Sequence, residues 1–378
     1  MESPGATVAQ SNSRSEVCVI GAGIVGLAAA ACLHERGVEV ACLDSGRPGD
    51  GQSAGRTRQF RHLHREPELI ELAVQARRGW LRWEERFGRQ LLGREGAFRV
   101  GAERAELEAL RAAGVPAEEL DPDQAAGRFP IRGLFEARDG QRVLWDPLAG
   151  AIRAQDTIGV LAGGLGPVLV ARRVDSIHIE PGEESVTIRT DQGVHHCARC
   201  VVCAGAGTDR LVRGLAIAVH QARQAHLRLA FPVSEPAPGG LPCYSDRSGM
   251  AGEIIYGLDD LDGRYAVGLA PVGTYPAVGD LAAEVPADVD VAPQRRRIID
   301  YVRAVLPGLH PAPVDEVLRL TTTLPDHPED GFEIHRSGPV IAIAGPNLFK
   351  FAPVLGELLA QAAIDERETD AAPVTASR

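Results

Sequence analysis

Residues 16–45 read EVCVIGAGIVGLAAAACLHERGVEVACLDS, and this stretch decides the fold. EVCVI is a short apolar run of strand character. IVGLAAAACLHER is an alanine-rich helix, with Gly37 placed to stop it. VEVACLD is a second apolar strand, so the unit is β-α-β with a parallel pair. Between the first strand and the helix lies Gly21-Ala22-Gly23-Ile24-Val25-Gly26, a G-x-G-x-x-G in the strand–turn–helix setting that gives this motif its meaning. Gly21 permits the tight turn, Gly23 lets the backbone approach a pyrophosphate, and Gly26 lets helix pack closely on strand. The helix N-terminus, at Ile24 and Val25, offers free N–H groups and a partial positive charge to phosphates. Asp44 closes the second strand, where a carboxylate accepts from ribose hydroxyls. The expectation is a Rossmann-like α/β domain that holds a dinucleotide.

The flanking sequence bears on which dinucleotide. A nicotinamide fold would run from Asp44 straight into its next helix. Here SGRPGDGQSAGRTR (45–58) intervenes, a Gly/Ser/Arg loop suited to wrapping an extended flavin dinucleotide. CVVCAGAGTDRLV (200–212) and VIAIAGPNLFKFAPVLGELLA (340–360) each repeat the strand–glycine turn–helix arrangement. Three such turns at one sheet edge would surround one long cofactor, which favours FAD.

Elsewhere, PELIELAVQARRGWLRWEERF (67–87) has helical apolar spacing, with Pro67 in the first turn. AERAELEALRAAG (102–114), PQRRRIIDYVRAVLPG (293–308) and the run after Pro353 are further helices. ARDGQRVLWDPL (137–148) is expected to pass from strand into helix, with Asp146 as N-cap. Residues 168–205 read as strands, and 232–292 as a Pro/Gly-rich region with the short strands EIIYGL and RYAVGLA. Residues 1–15 and 369–378 read as loose tails. The expected division is a discontinuous FAD-binding domain (16–60, 138–220, 315–368) and a substrate domain (61–137, 221–314) on a mixed or antiparallel sheet.

The net charge of −11 argues against a nucleic-acid or anionic-membrane partner. No apolar run approaches the ~20 residues needed to cross a bilayer. Seven cysteines, with no secretion signal at the start, point to reduced thiols and the cytoplasm. Three of them form HHCARCVVC (195–203), but neighbouring side chains on a strand point to opposite faces, so core thiols are expected there and no metal site.

VIGAGIVGLAAA, TRQFRH (57–62), VVCAGAGTDRLV, RLTTTLPDH (319–327) and the C-terminal FKFAPVLGELL together resemble the D-amino-acid-oxidase superfamily of flavoproteins. Within it, the chain is most similar to the monomeric sarcosine oxidase and N-methyltryptophan oxidase group, over about residues 16–365. The resemblance implies that Gly21, Gly23, Gly26, Asp44 and Ser45 hold the ADP half. It implies that Ser53, Arg56, Thr57 and Arg58 line the phosphate and ring loop, and that Val174 meets adenine through its backbone. Ala204, Gly205 and Gly345 would mark the other two turns, and Leu348, Phe349 and Lys350 would flank the flavin. Lys350, the single lysine of the chain, would also approach a substrate carboxylate, paired there with Arg61. A cation beside a flavin stabilises its reduced charge, and a bidentate Arg orients an amino acid. Tyr256 would border the substrate, and His62 is a further candidate.

Three departures stand out. The group bonds its flavin through a Cys, a place that falls on Leu318 here, so FAD is expected to be non-covalent. A lysine over the ring, used for oxygen, falls on Ala266. The loop from Gly345 to Phe349 is shortened. The reading is an FAD-dependent oxidoreductase of a carboxylate-bearing amine or amino acid, with an acceptor other than oxygen or a specialised biosynthetic reaction left open. The alternatives are a non-catalytic flavin-binding protein and a nicotinamide-dependent dehydrogenase.

Overall fold

The computed structural model describes residues 11–128, 142–182, 185–234, 240–247, 254–269, 273–276, 290–325, 327 and 330–365. Five strands run parallel in the order Val340–Ala344, Gly193–Val202, Ser11–Ile20, Val40–Asp44 and Leu169–Ala171. Glu333–Ser337 adds an antiparallel edge, and Val186–Thr190 joins Val174–Ile179 to the Gly193–Val202 strand. Val17 and Val19 pack into one core while Cys18 and Ile20 pack into another on the opposite face. A parallel sheet covered on both sides makes EVCVI a continuous apolar run. Helices Ile24–Glu35 and Ala352–Ile364 cross closely on the first face, where a Cβ on Gly356 would stand 2.6 Å from that of Ala28.

The tail expected at 1–15 is corrected in part. Ser11–Ser15 continue the first strand, in register with Gly193–Cys197. Two hydroxyls hold this polar run in place: Ser13 Oγ and Ser15 Oγ bond the two ring nitrogens of His195 at 2.8 and 2.9 Å. Residues 1–10 and the tail at 369–378 lie outside the described residues.

The second sheet centres on Ala222–Pro232, which pairs antiparallel with Arg264–Leu269 and Asp315–Thr323. It continues through Ile255–Asp259, Cys243–Asp246, Ala97–Val100, Val143–Asp146 and Glu118–Leu120. Cys243–Asp246 and Ala97–Val100 run parallel, so this sheet is mixed, as expected. Leu227, Leu229 and Phe231 point to the back, against Ile298, Val302 and Val305 of the helix Ala292–Val305. Gln224, His226 and Arg228 therefore face the other way, by the two-residue period of a strand.

Two boundaries shift. Val143–Asp146 and Asp315–Thr323 take their backbone partners from the second sheet, although the sequence division placed them in the FAD-binding domain. Asp146 is not a helix N-cap: it ends a strand, and the next helix, Ala154–Leu165, starts after another strand, Gly150–Arg153. Its carboxylate instead accepts from the Leu148 N–H at 3.1 Å and the His62 N–H at 3.0 Å. Among the described residues, no helix is long and apolar enough to cross a membrane.

Candidate active site

One cavity of about 1180 Å³ is lined from both large sheets and passes all three glycine turns. Gly21 has φ +102°, and a Cβ there would lie 2.5 Å from the Cys203 carbonyl oxygen, so the turn admits glycine alone. A Cβ on Gly26 would lie 1.8 Å from the Gly21 carbonyl oxygen; Gly26 packs the turn and does not line the cavity. Gly23, Ile24 and Val25 do line it. Ser53 Oγ accepts from the Ile24 N–H at 3.0 Å, placing a hydroxyl on the open helix N-terminus. Asp44 braces the turn: its carboxylate accepts from Ala22 N–H at 2.6 Å and Gly46 N–H at 2.9 Å. Asp44, Ser45 and Val174 line the same end, Ala204 and Gly205 the second turn, and Gly345, Leu348 and Phe349 the third. A long dinucleotide fits this set of residues. Gly23 leaves its backbone bare, a helix N-terminus and a carboxylate face one space, and three turns share that space.

At the other end, four donors converge on a carboxylate that sequence reading did not single out. Asp330 Oδ2 lies 2.7 Å from Arg61 Nη2, 2.9 Å from His64 Nδ1 and 3.1 Å from Lys350 Nζ. Its Oδ1 accepts from Asn347 Nδ2 at 2.7 Å. Burial pushes the Asp330 carboxyl up, but Lys350, Arg61 and His64 outweigh it and hold it well below the usual carboxylate range. Burial, and then the charge on Lys350, pushes His64 down to about 3, so its ring is neutral near pH 7. Arg61, Lys350, Asp330 and His64 together carry one net positive charge. Lys350 is held from behind by Trp80, whose indole N–H donates to the Lys350 carbonyl at 2.8 Å. A Cβ on Gly79 would stand 2.4 Å from Pro353 Cβ, which brings that helix close enough to do so. Tyr256 also lines the cavity, with the Arg228 guanidinium 5.6 Å from its ring centre.

Three expected site residues face elsewhere. Arg56 pairs with Asp262 and Asp260 and lines a separate cavity of about 620 Å³. Thr57 is buried, with its hydroxyl on Asp260 at 3.0 Å. His62 is buried against Asp146, ring nitrogen to carboxylate 2.9 Å. Arg58 and Arg61 do line the main cavity; His64, two residues on from His62, does not line it but is buried against Asp330, which does. Leu318 is corrected as well: Val317, Arg319, Thr321 and Thr323 face the cavity, while Leu318 packs on the core behind. Ala266 is buried among Ala97, Ala149, Ala151 and Leu258 and does not reach the cavity. Asp330, Arg228 and Arg319 had no local signal; strand parity would have exposed the two arginines once the register was known.

Comparison with known proteins agrees with this architecture. Residues 16–362 match the family described as FAD dependent oxidoreductase (DAO). The chain is 26% identical to N-methyl-L-tryptophan oxidase of Salmonella newport (strain SL254), covering 96% of this chain and 98% of that one. It is also 26% identical to monomeric sarcosine oxidase of Bacillus sp. (strain B-0618), over 53% of each chain. Among solved structures it is similar in fold to NikD, an amino acid oxidase of nikkomycin biosynthesis: TM-score 0.81, 22% identity, covering 94% of this chain and 95% of that one. Glycine oxidase from Geobacillus kaustophilus gives a TM-score of 0.73 at 20% identity, covering 95% and 96%. With the glycine cradle, the second sheet and the matched family in hand, the chain belongs to the DAO family of FAD-dependent oxidoreductases.

Proposed function

We propose that this protein oxidises a carboxylate-bearing amine or amino acid, with FAD held non-covalently. The observation that carries this reading is the Arg61–Lys350 pair, fixed by buried Asp330 at the cavity wall. Its one net positive charge suits a single carboxylate. Arg61 offers a planar fork and Lys350 a compact ammonium, so the two together fix the orientation of a bound acid. Asp330 holds the Lys350 ammonium, while Trp80 fixes the main chain of Lys350 through its carbonyl. Gly21, Gly23, Ile24, Val25, Ser53 and Asp44 would hold the ADP half of FAD; Gly205, Gly345, Leu348 and Phe349 would border the rest. FAD, when bound, would accept a hydride equivalent from the carbon beside nitrogen, so that the amine, losing a further proton from nitrogen, becomes an imine. Tyr256, on the cavity wall, would border the substrate.

The cavity-facing side of Asp315–Thr323 carries no thiol, which supports non-covalent binding. Cys203 lines the cavity, but burial pushes its thiol up to about 12, so it stays protonated and unreactive. Seven free thiols suit the reducing cytoplasm.

The test is anaerobic mixing of the FAD-loaded protein with N-methyl amino acids and cyclic imino acids, following the bleaching of the flavin band. Lys350→Met should slow bleaching by about 10²-fold, the scale set by misplacing a reactant. An unchanged rate refutes the assignment.

A further inference from the structure

A second group of cations lines the same cavity. Arg58, Arg228 and Arg319 come from three strands, Thr57–Phe60, Ala222–Pro232 and Asp315–Thr323. They are gathered by shared backbone oxygens. The Ala54 carbonyl accepts from both Arg58 and Arg319. The Thr57 carbonyl accepts from Arg58 at 2.8 Å and from Arg228 at 3.1 Å. Arg319 lies over Gly55, where any Cβ would collide with its guanidinium.

Among the described residues, none of the three forms an ion pair. Asp260 exerts some attraction on Arg58 and Arg319, yet its carboxylate is taken by Arg56 at 3.8 Å, Arg264 at 3.3 Å and Thr57 at 3.0 Å. The three charges disfavour one another. Burial, then Arg319 and Arg228, hold Arg58 well below its usual value, and burial, then Arg228, bring Arg319 down to about 10. His226, opposite Arg319 in strand register, is pushed by burial and by Arg228 to about 4, so it adds no charge near pH 7. Neutral carbonyls thus gather three like charges on a cavity wall. The Phe349 and Tyr256 ring centres lie 5.6 Å from the Arg58 and Arg228 guanidinium groups, and Asp260 and Asp315 attract from a distance. Among the described residues no carboxylate pairs with any of the three.

We propose that Arg58, Arg228 and Arg319 form a second anion-binding subsite, separate from Arg61 and Lys350, that takes a carboxylate-class group. The proposal rests on the amine site described above and narrows it: a substrate held at Arg61 and Lys350 by one carboxylate presents a second acidic group to the arginines. The negative charge of FAD has the same chemistry, and the test separates the two sources.

The FAD-loaded protein is titrated with butyrate, with glutarate and with sulfite, following the flavin spectrum. Glutarate should bind more tightly than butyrate, and Arg228→Gln or Arg319→Met should each cut that advantage about tenfold, the scale of one charge-assisted hydrogen bond. Lys350→Met should instead weaken butyrate and glutarate alike; if it weakens neither, the amine-site reading fails while the subsite stands. Should the arginine variants spare carboxylates but weaken sulfite addition by about tenfold, the anion served is that of the cofactor. If glutarate has no advantage in the wild type and both variants leave all three titrations within about twofold, the subsite does not exist. Where one variant fails to fold, the other and the wild-type comparison still decide.

Discussion

Asp330→Asn is the most informative single change. Asparagine keeps the shape of the side chain but removes the charge that balances Arg61 at 2.7 Å and Lys350 at 3.1 Å. The Lys350 side chain is 6% exposed and that of Asp330 is 3%, so water cannot replace the lost carboxylate there. Arg61, at 17%, recovers some hydration. Breaking a buried ion pair from one side costs about 3–5 kcal/mol, and the partial relief at Arg61 puts the expectation near the lower figure, about 3 kcal/mol. Urea unfolding of the FAD-loaded protein at pH 7 measures it. The pH dependence gives a second signature. Asp330 is held well below the usual carboxylate range, so its contribution is present above the unfolded value, about 4, and is lost as pH falls through the lower folded value. The gap between wild type and variant should therefore be constant from pH 8 to about 5 and close only under stronger acid. A variant within about 0.5 kcal/mol of wild type at pH 7 would show that Asp330 does not balance these cations.

Gly26→Ala should abolish FAD binding or folding: its Cβ would sit 1.8 Å from a backbone oxygen that has no rotamer to escape into, and FAD fluorescence titration reads the loss. Trp80→Phe removes the indole N–H that donates to the buried Lys350 carbonyl at 2.8 Å and should cost about 1 kcal/mol in urea unfolding; no measurable loss would show that this bond does not contribute. His64 and His195 are depressed to about 3 and about 4, chiefly by burial, so the unfolded chain binds their protons first. Stability should then fall as pH drops from about 6.5 to 4, by up to about 1.4 kcal/mol per pH unit for each ring, and a flat profile in that window contradicts their burial as neutral groups.

What was legible in the residues was local. GAGIVG sits between an apolar strand and an alanine-rich helix, and its glycines are demanded by atoms of neighbouring turns, with φ +102° at Gly21. The three strand–turn–helix units and the helix from Pro67 to Phe87 were readable for the same reason. Asp146 was misread because a strand-ending Asp-Pro and a helix-opening one look alike until the Gly150–Arg153 strand is seen beyond it. His62 and His64 differ by two residues, and only the packing around Asp146 and Asp330 separates a structural ring from one beside the site.

The sequence by itself determined the cofactor cradle and pointed to Lys350 and Arg61 as residues of the candidate site. Tertiary structure alone decided that Lys350, Arg61, His64 and Asn347 meet on Asp330, and that Arg228 and Arg319 share a wall with Arg58. The reason is physical. A glycine turn is dictated by dihedral angles and clashes among nearby atoms, which neighbouring residues specify. A cluster of charges is set by where distant segments bring their side chains and how much water remains there, and no spacing along the chain encodes that.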